Sequence, residues 1–209
     1  MISGHTKLIA HLGVPTESFK APMIYNPWFE ARGIDTVVVP MGCETADFPA
    51  FMPLLARLRN FVGALITMPH KVAVVDLLDQ VSTAVRICGA CNAVRRDEAG
   101  ALIGDMFDGE GFVRGVLRKG RAVAGASVLV VGTGGVGSAI AASLAGAGAA
   151  RLALFDINAA SADRLAAKLQ EACPALRVET GRNDPAGFDI VVNATPMGMA
   201  EGDPMPMPV

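Results

Sequence analysis

Ser127-Val128-Leu129-Val130-Val131-Gly132-Thr133-Gly134-Gly135-Val136-Gly137 is the stretch on which the fold turns. Ser127 to Val131 reads as a buried strand, and the small-residue run from Gly135 to Ala147 reads as a helix packed on a sheet. Between them, Gly132, Gly134 and Gly137 have the GxGxxG spacing, with Gly135 and Val136 inside it. The first glycine permits a tight turn, the second lets backbone approach a pyrophosphate, and the third lets helix and strand close up. The helix start offers unpaired N–H groups and the positive end of its dipole to an anion. The spacing alone is a weak signal, but its context fits. Arg151 to Phe155 reads as the next strand and ends at Asp156, within the expected range of about 20 residues beyond the glycines. A carboxylate there accepts from ribose hydroxyls and repels a 2′-phosphate, which favours NAD over NADP. In the competing structural reading, Asp156 only caps the turn that follows it.

Composition sets the outer limits. The chain has 209 residues, 52% of them hydrophobic and 18% charged, which excludes a disordered protein. A net charge of −2 gives no electrostatic reason to expect nucleic acid or an anionic membrane as partner. The short basic runs, Arg95-Arg96 and Arg114 to Arg121, read as solvated faces. Ala122 to Ala150 is uncharged and long enough to span a bilayer, yet its strand-like start, glycines and small residues fit a strand–turn–helix better. The N-terminus lacks the order of a signal peptide, so the expected compartment is the cytoplasm. Cys88 and Cys91 form a CxxC with no second pair and no nearby His, so Cys43, Cys88, Cys91 and Cys173 are expected to be reduced, with no metal site.

Upstream, Thr6 to Leu12, Asp35 to Val39 and Val62 to Ile66 read as strands. Pro22 to Ala31, Asp47 to Arg59 and Lys71 to Leu78 read as helices between and after them. Asn92 to Arg95 and Ala101 to Gly104 flank Asp97-Glu98-Ala99-Gly100 as a hairpin, and Gly109 to Lys119 is helical. Downstream, Ala159 to Ala172 reads as helix, Asp189 to Asn193 as strand and Asp203 to Val209 as loop. This alternation predicts the α/β class: an N-terminal α/β substrate domain over 1–112, then a Rossmann-type nucleotide-binding domain over 113–209. A doubly wound nucleotide domain takes about six strands. Three or four can be read, so the second domain is expected to be C-terminally incomplete.

Physical reasoning alone makes Lys71 and Asp108 candidates and no more. Lys71 follows Thr67-Met68-Pro69-His70, where a buried strand ends, and open α/β sheets bind ligands at such ends. Asp108 opens a helix, so its structural reading is an N-cap.

Taken together, these segments resemble the shikimate/quinate dehydrogenase family. Leu65-Ile66-Thr67-Met68-Pro69-His70-Lys71 is similar to that family's strand–TxPxK motif, and Gly89-Ala90-Cys91-Asn92-Ala93-Val94 to its GAxNT segment. Gly104-Asp105-Met106-Phe107-Asp108-Gly109-Glu110-Gly111-Phe112 resembles GxNTDxxG, and Asn193-Ala194-Thr195-Pro196-Met197-Gly198-Met199 resembles NATxxGM. The glycine turn stands between these last two, in family order.

The resemblance implies hydride transfer between a nicotinamide and a hydroxyl or ketone of a cyclic hydroxy acid or polyol, as in aromatic amino acid biosynthesis. It implies that Lys71 and Asp108 are the catalytic pair across an interdomain cleft, with Lys71 as general acid/base. Thr67 and Asn92 would bond the ring hydroxyls, Asn193 and Thr195 would lie beside the cofactor, and His70 would be only a neighbour. The expected partner is a small-molecule substrate, and family members occur as monomers and homodimers.

The pattern breaks in places. Ala93 replaces a Thr, and Met106 and Phe107 replace Asn and Thr. The family's carboxylate site is a serine pair in HSxSP; with Pro22 on its proline, this chain reads Ser18-Phe19-Lys20-Ala21-Pro22. Phe19 and Ala21 then stand at the serine positions, where each lost charge-assisted bond is worth roughly 1.5–3 kcal/mol. Thr16, Ser18, Lys20 or Tyr25 could compensate, and the sequence does not choose among them. The expectation is retained hydride chemistry with a different acid partner. The alternative, a catalytically silent NAD-binding sensor, leaves the retained Lys71 and Asp108 without a purpose. A purely structural module leaves the glycine turn unexplained.

Overall fold

The computed structural model describes residues 2–199 and 201–208. The chain divides into two compact units, Met1–Val85 with Ala90–Met106, and Arg86–Gly89 with Phe107–Val209. The helix that Asp108 opens therefore belongs with the second unit, whereas the sequence reading carried the first domain to residue 112.

The first stretch of chain runs β1 (Lys7–Gly13), α1 (Ala21–Ala31), β2 (Thr36–Gly42), α2 (Phe48–Ala56) and β3 (Phe61–Ile66). A 3₁₀ segment (Ala73–Leu77), β4 (Gln80–Val81), α3 (Thr83–Cys88), β5 (Ala93–Arg96) and β6 (Leu102–Asp105) follow. The sheet order is β2-β1-β3-β5-β6-β4. β1 lies parallel to β2 and β3, with His11 opposite both Pro40 and Leu65. β5 and β6 form the expected antiparallel hairpin, closed by Asp97, whose carboxylate accepts from the Ala101 N–H at 2.8 Å. Phe48, Met52, Phe61, Leu12, Val38 and Val74 are buried in this unit. Each large apolar side chain so buried contributes about 1.5–3 kcal/mol.

Three expectations need correction here. Lys71 to Leu78 is no α-helix; Lys71 and Val72 lie in a turn, and Ala73–Leu77 is a 3₁₀ segment with bonds such as Val75 N–H to Val72 O. Val72, Val74 and Val75 are β-branched, which weakens α-helix in so short a run. The second helix stops at Ala56 rather than Arg59, and the reason is Arg96. Its guanidinium donates to the carbonyls of Ala56, Leu58 and Arg59 at 2.7, 2.9 and 3.2 Å. So Arg96 is no solvated surface cation: it closes a helix end.

α1 docks on the free edge of β2 through one side chain. The Asn26 amide accepts from the Val38 N–H at 2.7 Å and donates to the Val38 carbonyl at 3.0 Å. Pro40 falls on that same outward edge two residues on and has no N–H to offer, so the edge is closed to further pairing. Val38 is 2% exposed, so unpairing it leaves two main-chain groups without partners. Asn26→Leu is expected to lower the stability of this chain by about 2–4 kcal/mol. Urea unfolding midpoints would read this, and an unchanged midpoint would refute it.

The second unit is the more regular. It contains α4 (Asp108–Arg118), β7 (Ser127–Val131), α5 (Gly135–Gly146), β8 (Arg151–Phe155), α6 (Ala159–Ala172), β9 (Arg177–Thr180) and β10 (Ile190–Asn193). All four strands are parallel, in the order β10-β7-β8-β9. Val128, Val130, Ile140, Leu144, Leu152, Leu154, Leu165 and Leu169 make its core. After β9 the chain returns to the far side of β7, so the direction of winding reverses between β7 and β10. Ligands of open α/β sheets sit outside the carboxyl ends of strands at such a reversal.

Candidate active site

The glycine turn leaves β7 at this switch point. Gly132 has φ +95°, a left-handed conformation that side chains disfavour, and its neighbours are Ala194 and Thr195 at the end of β10. A Cβ on Gly137 would meet the Gly132 carbonyl oxygen, whereas the space beside Gly134 is open. The turn thus has the two features a pyrophosphate needs: a closely seated helix start and unobstructed backbone. Gly134, Gly135 and Val136 begin α5, with Val136 partly exposed on its first turn. These residues fit a dinucleotide. Gly137→Ala is expected to cost about 1–3 kcal/mol through overpacking. Thermal unfolding with and without NADH would check it, and an unchanged melting temperature in both would contradict the close approach.

Asp156 caps the turn that follows it and is also tied to the glycine turn. Its Oδ1 accepts from the Asn158 N–H at 2.9 Å, which is the turn-capping role. Its Oδ2 accepts from the Thr133 N–H at 2.7 Å, which ties it to the glycine turn. Burial alone would raise its pKa, but the N–H groups of Thr133 and Asn158 and the Thr133 hydroxyl outweigh that and hold it below the ordinary value. The carboxylate is therefore ionised at neutral pH.

Asn193 and Thr195 lie next to the glycine turn, but their polar atoms serve their own loop. Asn193 Oδ1 accepts from the Thr195 N–H at 2.9 Å and the Thr195 hydroxyl at 2.7 Å, while its Nδ2 donates to the Met197 carbonyl at 2.9 Å. Their part at this site is to shape the loop beside Gly132. Thr195 also lines the cavity at the glycine turn.

In the first unit, Thr67, Lys71 and Asn92 are brought together by main-chain bonds at the carboxyl ends of β1 and β3. The Thr67 N–H donates to the Leu12 carbonyl at 2.9 Å, the Ile66 N–H to the Asn92 carbonyl at 2.8 Å, and the Cys91 N–H to the Lys71 carbonyl at 2.8 Å. His70 is fully buried, stacks on Phe48 with ring centroids 4.0 Å apart, and lies 2.7 Å through Nε2 from the Cys43 carbonyl. It anchors the turn that carries Lys71, as a neighbour would.

The serine-motif region is where sequence reasoning missed most. Phe19 is buried beside Gly13 and Thr67, and its ring stacks on His11 at 4.0 Å. Burial pushes the His11 pKa down, so this imidazole is neutral. Two of the compensating candidates have local partners. The Ser18 hydroxyl donates to the Pro15 carbonyl at 3.1 Å, and the Tyr25 ring stacks on Phe29 at 6.1 Å and is 42% exposed.

Asp108 is the first helical residue of α4; the N-cap position falls on Phe107, which makes no side-chain cap. An acid in the first turn also suits the helix dipole. Gly109 beside it has its own structural duty, since a Cβ there would meet the Ala139 carbonyl oxygen of α5. This seats the start of α4 against α5 and fixes Asp108 within the second unit. All four cysteines are free, and among the described residues no group of His, Cys, Asp and Glu could hold a metal. No described helix is long and apolar enough to cross a membrane.

A parallel sheet with a glycine turn at its switch point and an ionised acid after the next strand defines a dinucleotide-dependent α/β protein. Comparison with known proteins narrows this. Residues 12–94 match the shikimate dehydrogenase substrate binding domain. The chain is 36% identical over 210 aligned residues to a shikimate dehydrogenase (NADP(+)) of Rubrobacter xylanophilus, covering 99% of this chain and 74% of that one. The shikimate 5-dehydrogenase from Listeria monocytogenes, solved in complex with shikimate and NAD, superposes with a TM-score of 0.87 at 26% identity, covering 95% of this chain and 71% of that one. The ligand-free 5-ketofructose reductase of Gluconobacter sp. strain CHM43 superposes with a TM-score of 0.81 at 29% identity, covering 94% and 71%. The chain belongs to the shikimate/quinate dehydrogenase family. It is a nicotinamide-dependent oxidoreductase acting on a CH–OH group, and nothing in these likenesses favours a silent sensor.

Proposed function

We propose that this protein is an NAD-preferring dehydrogenase of a cyclic polyol or hydroxy acid whose acid group is not seated as shikimate's is, working on dissolved substrate in the cytoplasm. The single observation that supports it best is the convergence of Thr67, Lys71 and Asn92 at the carboxyl ends of β1 and β3. A nicotinamide, when bound, supplies the hydride acceptor or donor. Lys71 takes the proton from the hydroxyl being oxidised and returns it to the carbonyl oxygen in reduction. Asp108 is the acidic residue of the reaction, and the side chains of Thr67 and Asn92 bond the ring hydroxyls.

The NAD preference is supported by the ionised Asp156 and by the cavity of about 570 Å³ at the glycine turn. Its described lining includes the carboxylates Asp156 and Asp203 and no Lys or Arg to pair with a 2′-phosphate. The relative from Rubrobacter xylanophilus carries NADP(+) in its name, so the cofactor is a point on which this chain departs from it. The 5-ketofructose reductase, named for a keto sugar, supports the polyol end of the substrate range.

The test is a substrate panel followed by NADH and NADPH absorbance: shikimate, quinate, cyclic polyols and keto sugars with both cofactors. Turnover of an uncharged or differently acidic substrate with NAD is expected. Efficient turnover of shikimate at ordinary saturating levels would overturn the substrate reading, and a clear preference for NADP would overturn the cofactor reading.

A further inference from the structure

The acid that reads the cofactor is itself held by a residue of the glycine turn. Thr133, at the first variable position of GxGxxG, is 5% exposed. Its N–H donates to Asp156 Oδ2 at 2.7 Å, and its hydroxyl lies 3.0 Å both from that oxygen and from Ser161 Oγ on α6. An ionised carboxylate can only accept, and a hydroxyl has one proton to give. The proton of Thr133 therefore goes to Asp156, and Ser161 donates to Thr133. Two donors fill the lone pairs of Oδ2. Oδ1 accepts only the Asn158 N–H among the bonds made by described residues, at 2.9 Å, and keeps one acceptor position. The carboxylate cannot rotate without breaking this set, and it borders the cavity at the glycine turn.

We propose that Thr133 is a positioning residue for cofactor choice: by saturating one oxygen of Asp156 it fixes the other for the adenosine ribose and sets the preference for NAD(H) over NADP(H). This rests on the reading of Asp156 given above. A fixed carboxylate distinguishes the cofactors twice, since it accepts from a ribose hydroxyl in one and meets a phosphate dianion in the other. Without the Thr133 hydroxyl, Asp156 can turn, so both the bond and the repulsion weaken. The two effects act on the ratio of affinities in the same direction.

The experiment measures dissociation constants of NADH and NADPH by calorimetry for the whole chain, Thr133→Val and Thr133→Ser. Binding is read rather than turnover, so an error in the substrate assignment leaves the result intact. Valine keeps the shape and the N–H and removes only the hydroxyl. The preference for NADH is expected to fall about tenfold in Thr133→Val and to return in Thr133→Ser. A purely structural role would weaken both cofactors alike and leave the ratio unmoved. An unmoved ratio in a protein that prefers NADH would overturn this inference and leave the Asp156 reading standing. A wild-type protein that prefers NADPH would overturn both.

Discussion

Lys71→Ala is expected to lower kcat by about 10²–10⁴-fold, the range removed with a general acid/base, and to leave dinucleotide affinity unchanged. The turn that carries Lys71 keeps main-chain and neighbouring supports in this variant. The Lys71 carbonyl accepts from the Cys91 N–H, and the turn is anchored next door by the buried His70. Lys71→Arg makes the sharper test. A guanidinium keeps the charge and reach but does not give up a proton at any working pH. If Lys71 served only to attract substrate, arginine would restore most of the rate; if it moves a proton, arginine stays nearly as slow as alanine. Single-turnover absorbance with saturating cofactor separates these, and a rate unaffected by either substitution would remove Lys71 from the chemistry.

The two units differed in how far their sequences could be read. In the second, the elements from Ser127 to Ala172 fall within a residue of their expected bounds, because uninterrupted aliphatic strands and small-residue helices leave little else to form. β9, with the polar sequence Arg177-Val178-Glu179-Thr180, was missed. It is an edge strand, and only one of its faces needs apolar side chains. In the first unit the misses share a different cause. β4 has two residues and α3 has six, and both are set by tertiary contacts rather than by their own periodicity. The site was legible where function depends on backbone, as at Gly132, whose φ of +95° favours glycine, and Gly137, where a Cβ would meet the Gly132 carbonyl oxygen. It was less legible where function depends on where a side chain turns. Ser18 and Tyr25 are hydroxyl-bearing and well placed in sequence, but one bonds its own turn and the other stacks on its own helix. Thr133 shows the converse, since a position marked as variable in GxGxxG holds the acid two strands along the sheet order from β10.

Installing serines at the two motif positions is expected to produce the other large change. In Phe19→Ser with Ala21→Ser, kcat/KM for shikimate should rise by about 10²–10⁴-fold, since each charge-assisted bond of roughly 1.5–3 kcal/mol corresponds to about ten- to a hundredfold. The wild-type corner offers a carboxylate little. The Phe19 ring fills it, the His11 imidazole behind that ring is neutral, and the Ser18 hydroxyl is engaged with Pro15. Removing the ring has a cost, because Phe19 is 9% exposed and leaves His11 without its stacking partner. Truncating a buried phenylalanine destabilises by about 3–5 kcal/mol, so the double variant must be assayed below its own melting temperature. Ala21→Ser avoids that difficulty: Ala21 is the half-buried first residue of α1, and a hydroxyl there displaces no core. It alone should raise shikimate turnover by about tenfold, with KM falling more than kcat rises, because a carboxylate far from the reacting carbon is held equally in substrate and transition state. If neither the single nor the double variant gains on shikimate, the corner occupied by Phe19 is not where this family's acid group would be received, and the argument for a different substrate loses its footing.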